Sequence, residues 1–120
     1  MTLTMYGIKN CDTVKKARVW LDAEGVAYGF HDYKTLGIDA ETLRGWVAAL
    51  GWEVVLNRSG TTFRALPDAD KADITPEKAV ALMLAQPSMI KRPMLVGDNL
   101  LLAGFKPDVY TASFAQKGAQ

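Results

Sequence analysis

A mixed α/β domain is the fold class this sequence predicts, ordered as strand, helix, strand, a helical insertion, then two strands and a helix. Three observations predict it. Short β-prone runs open the chain and recur near its end. A helical pattern separates the first two runs, and a helix between strands favours parallel pairing through a right-handed crossover. The middle of the chain is mostly helical in period. At 120 residues, a single domain covering 1–120 is expected, with the insertion at about 37–90.

Thr2 to Ile8 is a short apolar, β-prone run that gives way to a loop at Gly7-Ile8-Lys9-Asn10. Asn10, Cys11, Asp12 and Thr13 then supply several helix-start residues at once, ahead of Val14, Ala17 and Leu21 on one face with Trp20 beside them. Gly25 is placed to stop that helix. Val26 to Tyr33 is rich in aromatic and β-branched residues and predicts the second strand.

Asp39 is the expected N-cap of a helix whose apolar residues Leu43, Trp46, Val47 and Leu50 share one face, with Gly51 as terminator. Val54 to Leu56 fits strand or helix, and Asn57 to Thr62 reads as an exposed loop. Thr75-Pro76-Glu77 is a helix start, and Ala79, Val80, Leu82, Met83 and Leu84 carry the apolar face until Pro87. Met94 to Val96 and Leu100 to Leu102, separated by Gly97-Asp98-Asn99, predict a tight hairpin. Their unbroken apolarity predicts cover on both faces. Val109 to Gln116 predicts a short last helix, and residues 117–120 a frayed tail.

Composition excludes several classes of function. Fourteen Lys and Arg against thirteen Asp and Glu leave a net charge of +1, so no overall field favours nucleic acid or an anionic membrane. One cysteine and one histidine cannot close an internal disulfide or assemble a Cys/His metal cage, so no metal site is expected. The opening residues show no basic stretch followed by a long apolar one, so no secretory leader is expected, and no window approaches the ~18 apolar residues a membrane span needs. A cytoplasmic protein with its thiol kept reduced is therefore expected, and a monomer.

Cys11 is the candidate nucleophile. The thiolate is the reactive form, and a helix N-terminus favours it through its unpaired N–H groups and macrodipole. Lys15, one turn further on, is expected to add to this effect, and Asp12 to oppose it. His31 has no partner nearby in sequence and is expected to be structural, as are Trp20 and Trp46 on helical apolar faces. Trp52 fits core or insertion surface.

Three stretches together resemble a known family: Tyr6-Gly-Ile-Lys-Asn-Cys11-Asp-Thr-Val-Lys-Lys-Ala; Asn57-Arg58-Ser-Gly-Thr-Thr-Phe-Arg64; and Pro87-Ser-Met-Ile-Lys-Arg92-Pro93 with Gly104-Phe-Lys106-Pro after it. In order and spacing they are similar to the glutaredoxin-linked arsenate reductases (ArsC), the redox regulator Spx and the YffB-like thiol reductases, most of all the last. The resemblance implies a thioredoxin-like (glutaredoxin-like) βαβ-ββα core with a helical insertion between the second and third strands. It also implies that Cys11 is the nucleophile and Pro93 a cis-proline beside it. It further implies that Arg92 helps bind an anionic or thiol substrate; the expected substrate-binding set is Asn10, Lys15, Arg58, Arg92, Pro93 and Lys106, with Lys15, Arg58, Arg92 and Lys106 expected to pair with glutathione carboxylates. Lys9, Lys16 and Arg64 are expected to be surface charges.

Departures from the resemblance narrow the reading. The arsenate reductases carry histidine where Gly7 stands and arginine where Lys15 and Lys106 stand, and guanidinium forks clamp an oxyanion better than ammonium point charges. The redox regulators close a disulfide to a second cysteine at the position of Val14. A lone Cys11 has to exchange with an external thiol, for which glutathione is the expected co-substrate, with no tightly bound cofactor. The resulting expectation is a glutathione-dependent thiol-disulfide oxidoreductase acting on an oxidised substrate. The alternatives are an Spx-like protein-binding module touching RNA polymerase, and an arsenate reductase.

Overall fold

The computed structural model describes residues 3–118, and the chain divides into two compact units. One is formed by the segments up to Asp32 and from Arg92 onward, the other by Tyr33–Lys91.

The first unit is built on a four-stranded sheet. Strand β1 (Thr4–Gly7) is followed by helix α1 (Asp12–Ala23) and strand β2 (Gly29–Asp32). Strands β3 (Met94–Gly97) and β4 (Leu100–Ala103) form the hairpin read from the sequence, turning through Asp98-Asn99. The sheet order is β2-β1-β3-β4, with β1 parallel to β2 and antiparallel to β3. This is the thioredoxin-like arrangement that the resemblance implies. Thr2, where the first strand was expected to begin, lies outside the described residues, as do Ala119 and Gln120 of the expected tail.

Helix α1 forms because its apolar residues recur at helical spacing: Val14, Ala17 and Leu21 are fully buried and join Leu3, Met5, Leu95 and Tyr110 in one core. Gly25 adopts a φ of 68°, the left-handed conformation that ends a helix at lowest cost in glycine. Residues 26–28 belong to the connection, and β2 is four residues long rather than eight. The Val26 N–H bonds back to the Leu21 carbonyl, which spends the start of the expected strand on closing α1.

The two hairpin strands differ in burial. Met94 and Leu95 are fully buried on the central strand β3, whereas all four residues of β4 are half-buried. Cover on both faces was the wrong expectation for β4, because it is an edge strand whose apolar run is only partly enclosed.

The last helix, α8, runs Pro107–Gly118, longer at both ends than expected. Its first turn is set by proline, which lacks the N–H a helix leaves unpaired there, and by the Tyr110 N–H bond to the Lys106 carbonyl. Trp20 meets Tyr110 edge-on with ring centres 5.4 Å apart, and Phe105 meets it at 4.7 Å. The Tyr110 hydroxyl is buried with no hydrogen-bond partner among the described residues, and burial pushes its pKa up. An unsatisfied buried hydroxyl costs about 1–3 kcal/mol. Tyr110→Phe is therefore expected to raise stability by about 1 kcal/mol, read as a higher urea midpoint. A lower midpoint would show that the hydroxyl has a bonded partner.

The second unit is helical: α2 (Tyr33–Leu36), α3 (Ala40–Leu50), α4 (Trp52–Val55), α5 (Thr61–Arg64), α6 (Asp68–Lys71) and α7 (Pro76–Ala85), then a 3₁₀ turn at Pro87–Met89. Asp39 caps α3 by accepting from the Thr42 N–H at 3.0 Å, and Thr75 caps α7 by accepting from the Lys78 N–H at 3.2 Å. Leu43, Trp46 and Val47 of α3 and Ala79, Val80 and Met83 of α7 are buried. Gly51, with φ at 91°, ends α3.

The ambiguous Val54–Leu56 run resolves into one helical turn ending at Val55 and a β-bridge from Leu56 to Ile90. Two further bonds, Asn57 N–H to the Met89 carbonyl and Lys91 N–H to the Val55 carbonyl, each 2.8 Å, tie these segments together. The stretch expected as an exposed loop up to Thr62 is only partly loop. Asn57 Oδ1 accepts from Ser59, and α5 starts at Thr61 because Phe63 needs a buried seat.

Candidate functional site

Cys11 occupies the junction between β1 and α1. Strand β1 ends at Gly7, and a turn closes when the Cys11 N–H bonds to the Ile8 carbonyl at 3.3 Å. Cys11 itself is the N-cap, with extended φ and ψ of −106° and 125°, and its carbonyl accepts the first helical bond from Lys15 N–H at 2.9 Å. It is a free, half-buried thiol.

Opposing forces act on this thiol. Burial, the largest single influence, pushes its pKa up. The Val14 N–H, the Arg92 guanidinium through both hydrogen bond and charge, and the Thr13 N–H together outweigh it and hold the thiol below its ordinary value. No capping hydrogen bond of ordinary geometry reaches the sulphur, which is consistent with a neutral thiol being a weak acceptor. The same N–H groups favour the anion, because a thiolate accepts what a thiol does not.

Strand pairing brings Arg92 and Pro93 to the cysteine. Tyr6 of β1 pairs with Met94 of β3, so the residues just before Met94 lie beyond the end of β1 that leads to Cys11. The Arg92–Pro93 peptide is cis, and Pro93 is buried. Its carbonyl accepts from Gly104 N–H at 2.8 Å, which joins the stretch leading to Lys106 to the same end of the sheet.

The remaining expected residues stand as follows. Asn10 is exposed in the turn before Cys11, and Lys106 is exposed just ahead of α8. Lys15 is exposed on α1 and is not among the groups that act most on the sulphur, nor is Asp12. The cation at the thiol is Arg92, which is distant in sequence and adjacent through the register. Arg58 belongs to the helical unit, where its guanidinium lies 5.1 Å from the centre of the Trp52 ring. There it lines a polar hollow of about 420 Å³ with Arg64, Lys91, Asn57, Ser59 and Glu53. Arg64, read from sequence as a surface charge, thus shares a hollow with Arg58, and Lys91 joins them through the bridge at Ile90.

Sequence reasoning gave the helix-end N–H groups without singling out those of Thr13 and Val14, and it gave Gly7 only as a departure from the arsenate reductases, with no role. A side-chain carbon at Gly7 would come within 2.9 Å of Val14 Cγ2 and 3.6 Å of Phe30 Cε1. The only signal available for that packing was a glycine at the end of a strand. His31 is half-buried with its ring centre 4.7 Å from that of Tyr6, in keeping with a structural residue. Among the described residues, no group of three or more His, Cys, Asp or Glu side chains is placed to hold a metal ion. Among the described residues, no helix is long and apolar enough to cross a membrane.

Comparison with known proteins places this geometry among relatives. The ArsC family model matches residues 6–113. The solved structure of a YffB protein is 63% identical, covers 92% of this chain and 97% of its own, and superposes with a TM-score of 0.90. An arsenate reductase (ArsC) related protein from Brucella melitensis is 55% identical over 95% of both chains, with a TM-score of 0.76. A curated, uncharacterised protein of Haemophilus influenzae is 39% identical over 113 residues, 94% of this chain and 99% of its own.

Proposed function

From the premise that this chain belongs to the ArsC family, we propose that it is a glutathione-dependent thiol-disulfide oxidoreductase acting through Cys11 alone. One observation carries the reading: the single thiol of the chain sits at a helix N-cap beside Arg92, which favours its thiolate.

The chemistry proceeds in two exchanges. The Cys11 thiolate attacks one sulphur of a substrate disulfide; the S–S bond breaks, a new one forms to Cys11, and the other sulphur leaves as a thiolate. A glutathione thiolate then attacks the mixed disulfide, releasing whichever sulphur is the better leaving group. When Cys11 carries glutathione, this second step restores the Cys11 thiolate and yields glutathione disulfide, so the substrate gains the two electrons that glutathione loses. Arg92 stabilises the anion of Cys11 both before attack and as it departs. Asn10, Lys15 and Lys106, with Pro93 as a wall, are the proposed contacts to glutathione or substrate within the unit that holds Cys11. The reading goes with a monomer in the reducing cytoplasm, where glutathione is abundant.

Arsenate is the weaker substrate in this reading. Lys15 and Lys106 offer point charges rather than the planar forks that suit a tetrahedral oxyanion. An Spx-like docking role finds no second cysteine to regulate it, since position 14 is valine.

The test is turnover of a small mixed disulfide with glutathione, coupled to glutathione reductase. The expected result is activity that Cys11→Ser abolishes while the fold is retained. Activity surviving that substitution, or none in the wild type, would overturn the proposal.

A further inference from the structure

We infer that Gly7 is a positioning residue for Cys11, its missing side chain letting Val14 seat against the end of β1 and so holding the first turn of α1 against the sulphur. The inference rests on Cys11 as the reacting group and not on glutathione as its partner.

The geometry leaves little freedom. A carbon added at Gly7 would lie 2.9 Å from Val14 Cγ2 and 3.4 Å from Val14 Cγ1, closer than side-chain carbons pack, with Phe30 Cε1 at 3.6 Å on another side. Val14 has no easy way to yield. It is fully buried and belongs to the core with Leu3, Met5, Ala17, Leu21, Leu95 and Tyr110. A valine in a helix is stiff about its first side-chain torsion, so rotation is disfavoured as well. The displacement therefore falls on the first turn of α1.

That turn is where the site is most sensitive. The Val14 and Thr13 N–H groups are two of the donors that favour the Cys11 anion, and electrostatic help from an N–H falls steeply with distance and misalignment. The other group acting on the sulphur, Arg92, enters from the β3 side, and a carbon added at Gly7 meets Val14 and Phe30 first. Asp12 and Lys15 on α1 are exposed, and their charges stay the same. The size of residue 7 thus acts on the thiol through Val14.

Alkylation of the full chain by iodoacetamide across a pH series tests this. Gly7→Ala is expected to move the Cys11 profile upward and cut the rate at neutral pH several-fold, and adding Val14→Ala, which opens space for the new carbon, is expected to recover most of the loss. A folded Gly7→Ala protein with the wild-type profile would overturn the inference, as would an upward shift that Val14→Ala fails to reverse. If Gly7→Ala does not fold, the double variant decides. A folded double variant with the profile of Val14→Ala alone supports the coupling, and one that stays unfolded or stays shifted refutes it. Turnover of glutathione does not enter the measurement, so its failure and the failure of the proposed function are separate results.

Discussion

Arg92→Ala is expected to slow alkylation of Cys11 at neutral pH by on the order of tenfold and to move its pH profile upward. Arg92 is the one cationic side chain among the groups that most favour the thiolate, and it acts through both a hydrogen bond and its charge. A hydrogen bond to a charged group contributes about 1.5–3 kcal/mol in general, and the half-exposed position of Cys11 screens part of that. The sign follows from the anion being the reactive form. A thiol held below its ordinary value carries more thiolate at neutral pH than a free one, and loses reactivity as pH falls through its folded pKa. Removing Arg92 raises that pKa, so at a fixed neutral pH less thiolate remains. Arg92→Lys keeps the charge without the planar fork and is expected to fall between wild type and Arg92→Ala. An unchanged profile in folded Arg92→Ala would remove the guanidinium from the account.

The largest loss of stability is expected from Leu21→Ala. Leu21 is fully buried on the inner face of α1 and packs in one core with Met5 of β1, Leu95 of β3 and Tyr110 of α8. Truncating a buried leucine removes its transfer free energy and leaves a cavity, at a cost of about 2–5 kcal/mol. The helix that Leu21 anchors is the one whose first turn faces the nucleophile. The expected reading is a lower urea midpoint with an unchanged slope, the signature of lost stability rather than a changed unfolded state. A loss below about 1 kcal/mol would mean that α1 is not held by this core.

Local rules were most legible where they were strongest. Asp39 and Thr75 are N-caps whose side chains bond the chain three residues on, and Gly25 and Gly51 end helices with positive φ. Each depends on a few neighbouring residues, so sequence suffices. The run around Val54 depended on a distant partner, and the second strand on how α1 closes. Leu56 becomes a bridge only because Ile90 lies opposite it, and Val26 leaves the strand because it closes α1. β4 looked like a fully covered strand because apolar residues do not reveal which strand lies at the edge.

The site divides in the same way. Cys11 at a helix start was readable from its neighbours, and so was the favouring of its anion by the helix end. Its cationic partner was readable only through the resemblance, which includes Arg92; proximity in sequence pointed to Lys15, and strand register supplies Arg92. Arg58 and Arg64 were readable as one matched loop, but their common hollow with Lys91 depends on the bridge that joins Leu56 to Ile90. Gly7 stood out as a departure from the arsenate reductases but its packing role did not, because what matters there is the absence of a side chain opposite a valine seven residues away.

Single-thiol exchange at Cys11 is the central claim, and intact mass after exposure to oxidised glutathione tests it most directly. The account predicts one glutathione adduct per chain, removed by added glutathione and absent from Cys11→Ser. A wild-type chain that gains no adduct, or a Cys11→Ser chain that gains one, would contradict it.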